Sequence, residues 1–538
     1  MQDTDPETGL MPQQNLLIGQ LLFSPARYDP EQEIVYRDDL RFTYRELRAR
    51  VPRLANGLAG LGVRPGDTVA VMDWDSHRYL ECFFAVPMMG ATLQTVNVRL
   101  SVDQILFTLT QTRPALLLVH PDFAEIVTAL AKHITFPCGI VMLPDDGPID
   151  GATCYESLLA GASDRYDFPD LPETTTATTF HTTGTTGQPK QVFYSHRQIV
   201  LHTLSLIATY ATKTDQGRFD QSDVYMPITP MFHVHAWGIP FMATALGVKQ
   251  VYPGRYEPER LLVLQQREGV TFSHCVPTIL QMLLTAPGGA DLSGWKIVVG
   301  GAVLTRSLAE QAQARGIDIF CGYGMSETCP LLLIAHVDTQ SLPEGADDIG
   351  LRILAGRPAI LTDVRIVDEA MQDVPADGVS RGELVARAPW LTRGYMNNAE
   401  ASRALWQGGY LHTGDIATAT PDRYVKIVDR LKDVIKTGGE WVSSADVEDL
   451  LTRHASVTEC AVIGVTDAKW GERPLALIVA NGAIDSAELA RHLQGFVDQG
   501  KLSRFAIPDQ FIAVAALDRT SVGKIDKKRL RKKYAAPK

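Results

Sequence analysis

Residues 181–192 read HTTGTTGQPKQV, a run of threonine, glycine, proline and lysine that cannot pack a core. Backbone N–H groups in glycine-rich segments form concavities for anions, hydroxyls add donors, and Lys190 brings the charge to neutralise a phosphate. The run is not a Walker A loop, because Lys190 stands three residues after Gly187 rather than directly after a glycine and is trailed by Gln191 rather than Ser or Thr. A surface turn uses the same residue types, so this loop alone leaves both readings open.

Three more segments carry suitable chemistry. In CGYGMSET (321–328), two glycines flank Tyr323, whose ring could stack on a base, and Ser326-Glu327-Thr328 offers oxygens for a hard cation. That segment also reads as a turn and helix N-cap. LHTGD (411–415) sets a carboxylate after a glycine turn, where it can take the paired hydroxyls of a ribose. RTSVGKID (519–526) presents a Gly-Lys near the C-terminus that, in isolation, is a solvated lysine. A further pair, His233-Val-His235 in PMFHVHAWG (230–238), has the look of zinc ligands on a strand. No third ligand stands at a matching spacing, so lining a pocket is the better reading.

These segments need elements to position them. Thr43-Tyr-Arg-Glu46 is a capping box followed by apolar residues at 47, 51, 54, 58 and 61, an amphipathic helix that Pro52 should kink or restart. It leads through GVRPGD into the short strand TVAVM. The alternation recurs, with a strand over Thr175–Phe180 and a helix over Ile199–Tyr210 on either side of the opening loop. Such alternation predicts an α/β fold of layered, largely parallel sheets and helices. Past about residue 430 the texture changes to a compact α+β module. We therefore expect a large N-terminal domain, 1–429, and a small mobile C-terminal domain, 430–538, hinged near Lys432.

The totals bound the function. A chain of 538 residues exceeds one core, so at least two domains are expected. The net charge of -11 gives no basic surplus for a general nucleic-acid binder, and the basic run 524–534 reads as a solvated helix face. Seven cysteines, odd in number and never in a C-x-x-C pair, favour reduced thiols and a cytoplasmic protein. The polar N-terminus is unlike a signal peptide, and no apolar stretch approaches a membrane span.

In their order, the segments resemble the adenylate-forming (AMP-binding) superfamily of acyl-CoA synthetases, luciferases and peptide-synthetase adenylation domains. HTTGTTGQPK resembles its phosphate loop, VVGGA (298–302) and GYGMSE its adenine segment, LHTGD its ribose contact, DRLKDVIKTGGEWVSSADVE (429–448) its hinge, and RTSVGKIDK its catalytic lysine. Within it, PMFHVHAWG and GGEWVSSADVE look like medium- and long-chain fatty acyl-CoA synthetases. The resemblance implies ATP, Mg²⁺ and coenzyme A with a small carboxylic acid, a homodimer as a further expectation, and roles for individual residues. Thr182, Thr183, Gly184, Thr185, Thr186 and Lys190 would cradle phosphate. Gly301, Ala302, Cys321, Gly322, Tyr323, Gly324 and Ser326 would line the nucleotide. Thr183 and Glu327 would hold the metal, Asp415 the ribose with help from Arg430, and Lys436 the nucleotide side of the channel. Lys524 would stabilise the transition state of adenylation. A turn at Lys432 would then withdraw it and bring Gly439 and Trp441 beside the coenzyme A channel. His233 would sit near the acyl phosphate, while Trp237 and Gly301 would wall the acyl pocket, with core packing as the alternative for Trp237. Two positions depart from the pattern: Gln191 where glycine commonly follows the lysine, and His235 where fatty-acid enzymes often carry asparagine. An acid-thiol ligase for a fatty acid is the leading expectation. A ligase for a short or aromatic acid, such as 3-methylmercaptopropionate, an adenylation domain without coenzyme A, and an inactive relative are the alternatives.

Overall fold

The structure is a computed structural model describing residues 14–38, 40–182, 188–212, 217–287, 291–337, 342, 347–437, 440–519 and 525–534. The capping box forms as expected: Thr43 Oγ1 accepts from the Glu46 amide, and the Glu46 carboxylate accepts from the Thr43 amide at 2.8 Å. The helix Tyr44–Gly60 that follows runs through Pro52 without the restart the sequence suggested. Val51, Leu54, Ala55 and Leu58 are fully buried around the proline, and that packing keeps the helix continuous despite the missing amide. Leu61 lies past the last turn and is exposed, so the apolar stripe ends at Leu58.

Two large sheets build the N-terminal part. One has six strands in the order Gly139–Met142, Leu116–Val119, Thr68–Met72, Thr92–Thr95, Thr176–His181, Gln191–Ser195. Its first five strands are parallel, and only the last pairs antiparallel. The other is nine-stranded, with a parallel centre through Lys249–Tyr252, Val224–Tyr225, Phe272–Cys275, Lys296–Val299 and Asp318–Gly324. Central strands such as Leu116–Val119 are buried on every residue, the mark of parallel strands covered on both faces. The helix His77–Met88 touches both sheets and buries Phe83 and Phe84 in a cluster that spans them.

A four-stranded antiparallel sheet follows, from Asp363–Val367 to Val425–Arg430. From Ile435 onward a separate five-stranded sheet has apolar clusters of its own around Val462 and Leu477. The alternation of strand and helix thus yields the expected α/β architecture, with a large N-terminal and a smaller C-terminal domain.

Candidate functional site

Open parallel sheets bind ligands beyond the carboxyl ends of their strands. The singled-out segments leave from such ends: His181 closes Thr176–His181, Gly300 follows Lys296–Val299, and Met325 follows Asp318–Gly324. The opening loop is anchored as a hairpin base, since the Thr182 amide donates to the Lys190 carbonyl at 2.9 Å. Thr183, Gly184, Thr185 and Thr186 lie outside the described residues, as do Gly439 and Lys524. Gln191, the departure after the lysine, is buried; its side-chain Nε2 donates to Thr179 Oγ1 at 3.0 Å and ties the loop exit to the neighbouring strand.

Glu327 stands in the short turn Ser326–Thr328 and is buried. Tyr395 donates to its Oε1 at 2.6 Å, and the Thr392 amide donates to its carbonyl at 3.0 Å. Burial pushes the Glu327 carboxyl up, against the lowering pull of Tyr395 and then Lys190. A buried carboxylate of this kind is ionised most readily with a cation against it, which fits an oxygen ligand of Mg²⁺. The Lys190 ammonium lies 4.6 Å from the Tyr395 ring centroid. The neighbouring Ser326 carbonyl accepts from Tyr194 at 2.6 Å, a bond that stitches one large sheet to the other.

Asp415 is buried too, accepting from Tyr323 at 2.6 Å and paired with Arg430 at 3.4 Å. Burial first, and then this carboxylate, push the Tyr323 hydroxyl well above its ordinary range. Asp415 and Arg430 also face each other across neighbouring strands. Gly301 and Ala302 are exposed, just beyond the end of Lys296–Val299. Cys321 differs: its side chain is buried in the apolar cluster of the sheet, so only its backbone can face a ligand. Lys432 and Lys436 are exposed, and Lys436 pairs across a short hairpin with Trp441.

The His-x-His segment is not a strand. Val234, His235, Ala236 and Trp237 all take positive φ, from 48° to 60°, and Gly238 follows at 75°: a left-handed turn. Each non-glycine residue there costs ~1–2 kcal/mol, so the surroundings must impose it. The chain entering the turn is pinned by Asp75, which accepts from the Met231 amide at 2.8 Å, and by Thr95, which donates to the Phe232 carbonyl at 2.9 Å. The turn sends the two imidazoles apart. His233 is half-buried, while His235 is fully buried among the rings of Phe83, Phe180 and Phe241, with neither ring nitrogen bonded. Among the described residues no cluster of His, Cys, Asp and Glu could hold a metal, so the zinc reading has no structural support. Trp237 is buried against the ring of His274, at 4.9 Å, and against Gly300, where a Cβ would sit 3.0 Å from the indole.

Sequence reasoning missed Tyr395, Tyr194 and Thr392. LTRGYMNN (391–398) holds a Gly-Tyr among polar residues, the one signal that could have drawn the eye to Tyr395.

These strand-end loops, with a buried carboxylate at Glu327 and another on the strand Leu411–Ala419 at Asp415, coincide with clear similarities to known proteins. Residues 22–396 match the AMP-binding enzyme family and 446–524 match its C-terminal domain. The chain is 39% identical to a long-chain-fatty-acid–CoA ligase of Thermus thermophilus over 92% of its own length and 90% of the relative's. It is 35% identical to a 3-methylmercaptopropionyl-CoA ligase of Ruegeria lacuscaerulensis over 98% of each chain. The crystal structure of ATP-bound MatB from Rhodopseudomonas palustris superposes with a TM-score of 0.83 at 25% identity, covering 97% of this chain and 99% of that one. The chain belongs to the AMP-binding, adenylate-forming enzymes.

Proposed function

We propose that this enzyme is an ATP-dependent acyl-CoA ligase. It joins a carboxylic acid to AMP with release of pyrophosphate, then transfers the acyl group to the thiol of coenzyme A. The single observation that carries the reading is a pair of buried carboxylates, Glu327 in the turn after Asp318–Gly324 and Asp415 within the strand Leu411–Ala419, each held by a tyrosine hydroxyl at 2.6 Å: Glu327 by Tyr395 and Asp415 by Tyr323. The similarity to acyl-CoA ligases over nearly the whole chain supports it.

Attack of one anion on another needs charge neutralised in the transition state. Glu327 and Thr183 would hold Mg²⁺, which would supply part of that neutralisation. Lys190 and the threonine-glycine loop hold the phosphates, Asp415 with Arg430 orients the ribose, and His233 borders the reacting carboxylate. Lys524 stabilises the transferring phosphate during adenylation. Rotation of a C-terminal domain beginning near residue 430, about Lys432, then replaces it with Gly439 and Trp441 beside coenzyme A. Trp237 with Gly301 walls the acyl pocket. A fatty acid is the favoured substrate, because the long-chain ligase is the more similar of the two relatives.

The test is pyrophosphate release with acids from propionate to palmitate, with and without coenzyme A, alongside thiol consumption. Acid-dependent pyrophosphate release with matching thiol loss, strongest for a medium or long chain, is expected. Pyrophosphate release without thiol loss would leave adenylation alone. Activity peaking on a short or aromatic acid would move the substrate to that class.

A further inference from the structure

We infer that Tyr395 is a positioning residue that holds apart and aims two opposite charges of the nucleotide site: its ring face docks the Lys190 ammonium, and its hydroxyl tethers the Glu327 carboxylate. The inference rests on the reading of this site as one that binds ATP and a divalent cation.

Three separate segments meet at this phenol. Lys190 leaves the phosphate-loop hairpin of the six-stranded sheet, and Glu327 follows a strand of the nine-stranded sheet. Tyr395 comes from the irregular stretch after Gly382–Arg387. Its hydroxyl donates to Glu327 Oε1 at 2.6 Å, and the ammonium of Lys190 stands 4.6 Å from its ring centre. Both charges meet this one side chain, and no ion pair joins them. An aromatic ring attracts a cation by its face, and its phenol hydroxyl holds the carboxylate at the rim, so the two charges are seated on different parts of one side chain. Without this side chain the ammonium loses its docking face and the carboxylate its tether, and neither is held ready for phosphate or metal.

The backbone fixes the ring in place. Tyr395 forms a bridge with Val192 and its amide donates to Ser402 Oγ at 2.9 Å, while the Met396 amide donates to the Gln191 carbonyl at 3.0 Å. Gly394 precedes it at φ 150°, where a Cβ would fall 2.6 Å from the Ser402 hydroxyl. The same stretch holds the Glu327 backbone through the Thr392 amide. Tyr395 is therefore set against both the loop exit and the acidic turn, and its own side chain faces each of their charges.

Two substitutions separate its two contacts. Tyr395→Phe keeps the ring under Lys190 and removes the tether; Tyr395→Leu removes both. The full-length protein is titrated with Mn²⁺ and a non-hydrolysable ATP analogue, without acid or turnover, reading metal affinity by electron paramagnetic resonance and analogue affinity at saturating metal by calorimetry. Loss of one charged hydrogen bond predicts a metal affinity about ten-fold weaker in the Phe variant, with analogue affinity within about two-fold of the parent. In the Leu variant both affinities should fall, by about ten-fold or more, because the spacer is lost as well. A Phe variant with parental metal affinity overturns the inference. So do equal losses in both variants accompanied by a lower melting temperature, which would mark Tyr395 as packing alone. A parental protein that binds no analogue at all overturns the nucleotide reading instead. Acetic-anhydride labelling of Lys190 in ligand-free protein then decides the docking on its own terms: parental and Phe proteins should label alike and the Leu variant severalfold faster, and equal labelling of all three overturns it.

Discussion

Glycines in the nucleotide segment look interchangeable in sequence, but the structure separates them. Gly301 has φ 79°, so its cost to replace is conformational, whereas a Cβ on Gly324 would fall 1.7 Å from the Pro330 carbonyl oxygen. Backbone at that distance cannot yield as a side chain can. Gly324→Ala is therefore expected to cost ~3 kcal/mol or more, at the upper end for overpacking, and to displace Ser326 and Glu327, which follow directly. Gly301→Ala should cost ~1 kcal/mol. Urea unfolding of the two variants checks this, and equal costs would refute the steric account of Gly324. The same scale shows what a linear reading can and cannot see. Glu327, Asp415 and Lys190 were legible because charge chemistry restricts which side chains serve. Tyr395 was not, since its role arises only where it meets Glu327 across a separation of 68 residues. The left-handed turn was equally hidden. Val-His-Ala-Trp carries no local signal for positive φ, and anchors from Asp75 and Thr95, far back in the chain, impose it.

Elements were the most legible level. Capping residues and period-matched apolar positions marked the helix from Tyr44, because Leu47, Val51, Leu54 and Leu58 all face the core. Pro52 misled, since tertiary burial outweighed a local rule. Strand order was out of reach, being a property of contacts that no window contains. The last helix, Lys527–Tyr534, illustrates the point, as its basic residues read as a solvated face. Arg529, Lys532 and Lys533 are exposed, but Lys527 is tucked inward: its ammonium pairs with Glu448 at 2.7 Å and donates to Ser444 at 2.6 Å. Ser444 in turn bonds Asp429 through its amide and its hydroxyl, and Arg531 pairs with Asp433 at 2.5 Å. The helix that follows the segment bearing Lys524 is thereby tied to both sides of Lys432, the residue proposed as hinge. The pair is mostly covered, at 13% and 18% exposure, so breaking it at one end strands a charge at a cost approaching the ~3–5 kcal/mol of a fully buried pair. Lys527→Met should accordingly strip amide-exchange protection from Lys527–Tyr534 and Ser444–Leu451, leaving protection of the two large sheets unchanged. Protection retained in the last helix would show the buried pair to be dispensable.

For the molecule as a whole, the burial that builds these layers also sets its tolerance to acid. His202, His235 and His274 are fully buried, which holds each imidazole down to about 3, and burial holds His181 and His196 down to about 4. An unfolded chain protonates them near 6.5, so between that value and the folded one the unfolded state binds more protons, and stability falls as pH falls. At pH 5 each such histidine removes ~2 kcal/mol. Asp75 opposes this: burial raises it to about 7, so the folded state binds its proton first and gains stability as pH drops. That gain is only ~2–3 kcal/mol over the same span, and Glu327 and Glu448, also raised by burial, act in its direction. Five imidazoles outweigh them on these magnitudes, and the net loss is comparable to the ~5–15 kcal/mol that holds a typical protein folded. The carboxylates that salt bridges depress, such as Glu156 and Glu268 at about 2, add their loss only below the ordinary carboxylate range. The urea midpoint should therefore be level from pH 8 to about 6.5, then decline steeply, with cooperative unfolding near pH 5. A midpoint still level at pH 5 would mean that these histidines are reached by water or by partners in the folded protein, and the dry aromatic cage around His235 would be wrong.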